Sequence, residues 1–264
     1  MAEKENIHSP KELIEPVPEE VAKLEQKEHS EEPRRMSRQE RKAMMDAEAE
    51  KRALDSWIPK TKLGRMVHAK EIKSIDEVLS GGKKILEAPI VDSLLRLESD
   101  TLLIGQAKGK FGGGKRRAWR QTQRKTMEGN IVTFSCMAVV GDKNGHVGIG
   151  YGKAKETLPA RAKAIRQAKL NIIKVIRGYE TRESSMNEPH TVPFVVNGKC
   201  GSVRIRLIPA PRGTGLVVGD EVKKILRLAG IQDVYGVSKG QTRTTFNLAK
   251  ACIDALNKTK SIEL

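Results

Sequence analysis

In the stretch Val147–Gly152 every second residue is a glycine, and that row limits the fold more than anything else in the chain. A strand sends successive side chains to opposite faces, so Gly148, Gly150 and Gly152 share one face while Val147, Ile149 and Tyr151 share the other. A face without side chains lets another backbone come close. Just upstream, Val132, Phe134, Cys136, Ala138 and Val140 alternate with other residues, which predicts a partner strand over Ile131–Val140. Asn144-Gly145 between them supplies the positive φ angles of a tight hairpin turn, with Gly145 as a structural glycine beside the other three.

The segment after the glycine row reads as helix. From Leu158 to Arg177, Lys163, Arg166, Lys174 and Arg177 fall on one side of a helical projection, and Ile165, Ala168, Ile172 and Ile176 fall on the other. With a strand expected over Thr101–Gln106, this gives a β-β-β-α unit with a basic exterior. Gly178–Pro189 is polar and marks a boundary. Beyond it Val192–Val196 and Val203–Ile208 predict a hairpin around Asn197–Gly201. A helix over Asp220–Ala229, a strand over Asp233–Ser238 and a last helix over about Thr244–Asn257 complete a β-β-α-β-α order. The expected fold class is α+β. The divisions are a charged extension over 1–56, a lead-in strip with short helices over 57–98, one domain over 99–178 and a second over 188–260. In the strip, Ser74 is the expected N-cap of one helix, and Pro89 stands in the first turn of another over Ala88–Leu97. The segment Trp57–Arg65 reads as a strip that lies across a partner rather than inside a core.

Charge narrows the function. The net charge is +16, yet residues 1–56 hold 11 basic and 15 acidic residues, which leaves the remainder at +20. Residues 1–33, rich in Glu and Lys and punctuated by four prolines, are expected to be disordered, and Arg34–Leu54 helical. A body this basic points to a polyanion, with nucleic acid preferred over a membrane because no long apolar span or Trp- and Phe-rich amphipathic helix is visible. The start lacks the apolar core of a signal peptide, so the expected location is the cytoplasm. Cys136, Cys200 and Cys252 are far apart and in apolar contexts, which predicts buried reduced thiols and no metal site. The histidines form no base–nucleophile–orienter set, and catalysis is not expected.

The densest cations precede the hairpin. Lys108, Lys110, Lys115, Arg116, Arg117, Arg120, Arg124 and Lys125 form an arm, 108–125, without an acidic residue among them, expected to fold only on its partner. Lys143 and Asn144 in the turn join them, as do Lys153 and Lys155 at the helix start, where free N–H groups favour phosphate, and Arg161, Lys163 and Arg166 on the helix. In the second unit Arg204 and Arg206 alternate with apolar residues and face outward, and Arg212 stands beside the structural glycines Gly213 and Gly215. At 3% aromatic content, base stacking is not the principal mode of binding. A nucleotide site in the glycine row fails on spacing: a P-loop would need glycine at Val147 and a hydroxyl residue at Ala154. Glycines for close packing, with RNA against the hairpin, is the reading adopted.

The stretch Val139–Glu156, reading VVGDKNGHVGIGYGKAKE, closely resembles the signature of the universal small-subunit ribosomal protein five family. Trp57–Arg65, Pro189–Pro193, Gly198–Val203 and Leu207–Gly215 are similar to its archaeal and eukaryotic branch, and the resemblance extends over about 57–260. It implies a first domain like the double-stranded-RNA-binding fold and a second α/β domain. It also implies binding to small-subunit rRNA near the mRNA entry channel, with the small-subunit ribosomal proteins four and eight as neighbours. The contact with protein four bears on decoding accuracy, and neither a cofactor nor a homo-oligomer is implied. The chain departs from the branch over Met127–Thr133, where the family link is shorter and carries arginine, and the acidic segment before Trp57 has no placed counterpart. A free-standing RNA chaperone of the same fold is the alternative, and a nucleotide-dependent enzyme the third reading.

Overall fold

The computed structural model describes residues 56–107, 114, 116–179 and 189–261, together with Met44, Met45, Arg52 and Leu54. The expectations for the disordered tail, the helix over Arg34–Leu54, and the cations Lys108, Lys110 and Lys115 lie outside the described residues, apart from those four positions.

Three short helices lead in: α1 (Lys62–His68), α2 (Ile75–Ser80) and α3 (Ala88–Leu94). Thr61 caps α1, its Oγ1 accepting from Gly64 N at 3.0 Å. Ser74 does not cap α2 through its side chain; its hydroxyl donates to Glu77 Oε1 at 2.8 Å instead. Trp57–Arg65 is not kept out of a core, as the expectation had it. Trp57 packs against a small core of Leu63, Val67, Ile75, Val78, Ile85, Ile90 and Val91, and Glu87 ties the strip down by accepting from Trp57 Nε1 and from the amides of Lys60 and Thr61. Apolar residues scattered over 57–97 show no single period, so this satellite core is invisible until the helices fold over one another.

The first sheet holds β1 (Glu98–Thr101), β2 (Trp119–Thr126), β3 (Gly129–Gly141), β4 (His146–Ala154) and β5 (Ile172–Lys174). β3 is long enough for β1 and β2 to pair end to end along one edge while β4 takes the other and β5 flanks β4. All four pairings are antiparallel. The sheet corrects three expectations. The strand foreseen over Thr101–Gln106 is β1, a few residues earlier. The second half of the cationic arm is folded as β2 in a hairpin with β3. The helix α4 (Thr157–Leu170) stops at Asn171, where the β-branched run Ile172-Ile173 continues as β5.

α4 buries Ala160, Ala164 and Ala168, and these alanines lie on the glycine row. A Cβ added at Gly148, Gly150 or Gly152 would stand 2.3, 2.2 and 2.1 Å from the carbonyl oxygens of Ala168, Ala164 and Ala160. Backbone therefore meets backbone across this face. RNA does not lie on it, and no phosphate fits there, which removes the nucleotide reading. The buried helix face is made of Ala160, Ala164 and the expected Ala168, with Ile165 packed beside them, while Ile172 and Ile176 lie beyond the helix; glycine leaves no depth for a larger side chain at the centre of the contact.

The second sheet has the order β6-β7-β9-β8, from β6 (Val196–Cys200), β7 (Val203–Pro209), β8 (Leu216–Val217) and β9 (Val234–Lys239), with α5 (Asp220–Leu228) and α6 (Thr245–Lys258). The hairpin turn is Gly201-Ser202, not Asn197–Gly201, which are strand residues up to Cys200. β8, parallel to β9, was not anticipated. Gly198 repeats the earlier device: a Cβ there would lie 2.0 Å from Ala251 O on α6. One core joins both sheets, drawing Met137, Val139 and Ile149 from the first, Leu102 just after β1, Val203, Ile205 and Leu207 from the second, and Ile225 and Leu256 from α5 and α6. Cys136 and Cys252 are buried and Cys200 is partly exposed; burial pushes the Cys252 thiol up to about 12.

Candidate nucleic-acid interface

Within the β2–β3–β4 part of the first sheet, register decides which side each cation takes. Residues directly opposite in an antiparallel pair share a face. Arg120 pairs with Ser135 and Ser135 with Lys153, so these three form one row, and Arg124 follows opposite Ile131. All three cations are exposed. Tyr151, two residues before Lys153, closes the inner end of this face: its hydroxyl donates to Ser135 Oγ at 3.1 Å, and its ring meets Phe246 of α6 edge-on at 5.4 Å. Trp119 and Lys125 belong to the opposite face, alongside Phe134 and α4. Arg116 forms an isolated bridge with Ala107, and Arg117 holds the Gly105 amide through its carbonyl at 2.9 Å, which anchors the described end of the arm.

Arg161, Lys163 and Arg166 are exposed on α4, and Lys153 and Lys155 lead into its first turn. No ion pair between described residues uses any of these cations or Arg116, Arg117, Arg120, Arg124 and Lys125. Cations left without carboxylates in a well-packed body keep their full attraction for an anion.

The turn between β3 and β4 is built differently from the expectation. The positive φ angles fall on Lys143 (62°) and Gly145 (104°), not on Asn144. Asp142 makes this possible by accepting from Asn144 N at 2.7 Å and His146 N at 3.0 Å. Lys143 pairs with Glu98, and its amide donates to Leu228 O at 2.9 Å, docking the turn onto the end of α5. His146 then joins three elements. Its Nδ1 meets Asp142 Oδ2 at 2.6 Å and its Nε2 meets Asp76 Oδ1 of α2 at 3.0 Å, while Lys174 of β5 holds the other Asp76 oxygen at 2.9 Å. The bond to Asp142 raises the imidazole above its ordinary pKa, burial opposes the rise and Asp76 adds to it. For both carboxyls, burial works upward but is outweighed by the hydrogen bonds, from His146 first, so each stands below its usual range.

Arg204 and Arg206 are exposed on β7, between the buried Val203, Ile205 and Leu207. Arg212 is exposed in the turn before β8, where Gly213 and Gly215 both have positive φ. The structure thus gathers the predicted cations on several faces: the outer β2–β4 surface, the α4 surface, the β3–β4 turn and the second sheet. Sequence reading missed Lys199 and Lys239, which flank Arg204 in register. It also missed Arg177, Lys223 and Arg227, which line a cleft of about 590 Å³ with Lys143 and Asn144. Alternation in β9 could have found Lys239; nothing in the sequence links Arg177 to α5. Among the described residues no group of three or more His, Cys, Asp or Glu is placed to hold a metal, and no helix is long and apolar enough to cross a membrane.

The family model for the N-terminal domain of ribosomal protein S5 matches residues 118–176, and that for its C-terminal domain matches 198–264. The chain is 48% identical over 212 residues to small ribosomal subunit protein uS5 of Nanoarchaeum equitans, spanning 80% of this chain and 91% of that protein. The chain belongs to the ribosomal protein S5 family. Further S5-family relatives include uS5 of Picrophilus torridus, 47% identical over 80% of this chain and 89% of that protein. With uS5 of Methanospirillum hungatei the identity is 47%, over 79% and 95%. The resemblance noted in the glycine hairpin therefore extends through both sheets. The S5 family is structural and not enzymatic.

Proposed function

We propose that this protein is a structural constituent of the small ribosomal subunit that holds rRNA through phosphate contacts. The observation that carries the reading is the outer β2–β4 face, where Arg120, Arg124 and Lys153 stand exposed and unpaired by carboxylates among the described residues. Its relatives are named small ribosomal subunit protein uS5, which supports the setting. Arg116, Arg117, Lys125, Lys143, Asn144, Lys155, Arg161, Lys163, Arg166 and Arg212 extend the contact set, together with Lys108, Lys110 and Lys115. The unit over 99–178 is a variant of the double-stranded-RNA-binding fold, a reading supported by an antiparallel sheet backed by α4 on one face. The unit over 188–260 is the second α/β domain.

The protein works in the cytoplasm near the mRNA entry channel, beside the small-subunit ribosomal proteins four and eight, and its contact with protein four tunes decoding accuracy. These finer statements rest on family resemblance. Sedimentation through a moderate-salt gradient tests the central one: the protein should travel with small subunits, and finding it only in the free pool would overturn the proposal. Strand annealing by the isolated protein, lost on neutralising the arm, together with absence from subunits, would instead favour the RNA-chaperone reading.

A further inference from the structure

The second sheet is covered on one side only. α5 and α6 bury Val203, Ile205 and Leu207, while the opposite face carries no layer of the described chain. Register sorts that open face into two ends. Val217 of β8 pairs with Tyr235 of β9, and Val237 lies one row along, opposite Arg206. These three are 51%, 40% and 46% exposed, a contiguous apolar end. At the other end Lys239, Arg204 and Lys199 form a single row across β9, β7 and β6.

We infer that this face docks a protein segment, specifically an acidic amphipathic one that lays its apolar side on Val217, Tyr235 and Val237 and its carboxylates on Arg206 and the Lys239–Arg204–Lys199 row. Charge complementarity sets the sign of the occupant: Asp254, bonded to Lys199 N and to Lys258, is the carboxylate at this edge, and the arginines have no ion pair among the described residues. Chemistry sets its class. Branched aliphatic side chains such as Val217 and Val237 offer a phosphate no partner, and such surface is satisfied by side chains of another protein. The two sheets thus divide the labour, RNA on the first and protein on the second.

The inference rests on the reading that the chain works inside the small subunit, and the test separates the two. A benzophenone amino acid is introduced at Val237 in the full chain, and in a second version at Arg124; subunits are purified, irradiated, and the crosslinks identified by mass spectrometry and primer extension. The expected result is RNA from position 124, and from position 237 a peptide whose crosslinked segment carries net negative charge. RNA at 237, a neutral or basic peptide there, or no crosslink at 237 while 124 reaches RNA, would each overturn the inference and leave the proposed function standing. Failure of either version to enter subunits, with the unsubstituted chain also excluded, would remove both. An R206E variant supplies a check independent of crosslinker geometry, since it should lower the yield at 237 at least threefold without changing the yield at 124.

Discussion

His146 shows how one residue can be read as ordinary in a sequence and hold three elements together in a structure. Its ring lies between Asp142 and Asp76, with Lys174 on the far side of Asp76, so protonation binds the hairpin turn to α2 and β5. The folded-state pKa is raised, so the stabilisation is complete below the unfolded value near 6.5 and is lost as pH rises through the folded value. The two aspartates, lowered, act in the other direction: their contribution is present above about 4 and disappears as pH falls through their folded values. Thermal melting across a pH series should therefore decline on the alkaline side of 6.5, and His146→Gln should flatten that limb; an unchanged profile would contradict the clamp. Gly150 makes the complementary point about space. Any side chain there meets Ala164 O and Ala168 N, both at 2.2 Å, so Gly150→Val should destabilise by about 3 kcal/mol or prevent folding, measured by denaturant unfolding. Arg124→Ala, on an exposed strand, should cost within about 0.5 kcal/mol.

At the scale of elements, the glycine strand and the alanine helix are one device used twice, in β4 with α4 and at Gly198 in β6 with α6. The first glycine row was legible because alternation is a strict signal; its partner was misassigned because the isoleucines after Leu170 satisfy a helical projection as well as a strand. The β2–β3 hairpin was missed for a related reason. A run of Arg, Gln, Lys and Thr has little apolar alternation, and β2 owes its conformation to pairing with β3 rather than to a buried face. Its exposed cations should act on RNA without supporting the fold. Replacing both Arg120 and Arg124 by Gln should leave the melting temperature unchanged and reduce the slope of log affinity for small-subunit rRNA against log salt by about 1.5 in magnitude. A fall in melting temperature with an unaltered slope would reverse that assignment.

For the whole molecule, the decisive feature is the core shared by the two sheets. Two sequence blocks, separated by a polar boundary, suggest two domains, yet Leu102, Met137 and Val139 bury themselves with residues of α5 and the second sheet. Backbone contacts reinforce this, with Lys143 N donating to Leu228 O and a Cβ at Gly230 placed 2.0 Å from Lys143 O. Calorimetry of the chain should show one transition for residues 56–261, and Met137→Ala should lower it as a unit; two separable transitions would show that the halves fold independently. Because the two sheets share this core, the proposed RNA surface and the proposed docking face are held in fixed relation to each other.

The amino-acid sequence by itself determined the basic body, the glycine strand with its turn, the α+β class and the family, because charge, period-two alternation and turn chemistry are local and need no partner to be read. Tertiary structure alone decided what covers the glycines, where the arm becomes a strand, which histidine is clamped between carboxylates and which sheet face stays open. Each of those depends on residues far apart in the chain meeting in space, as Asp76 meets His146 and Ala164 meets Gly150, and no local pattern encodes such a meeting.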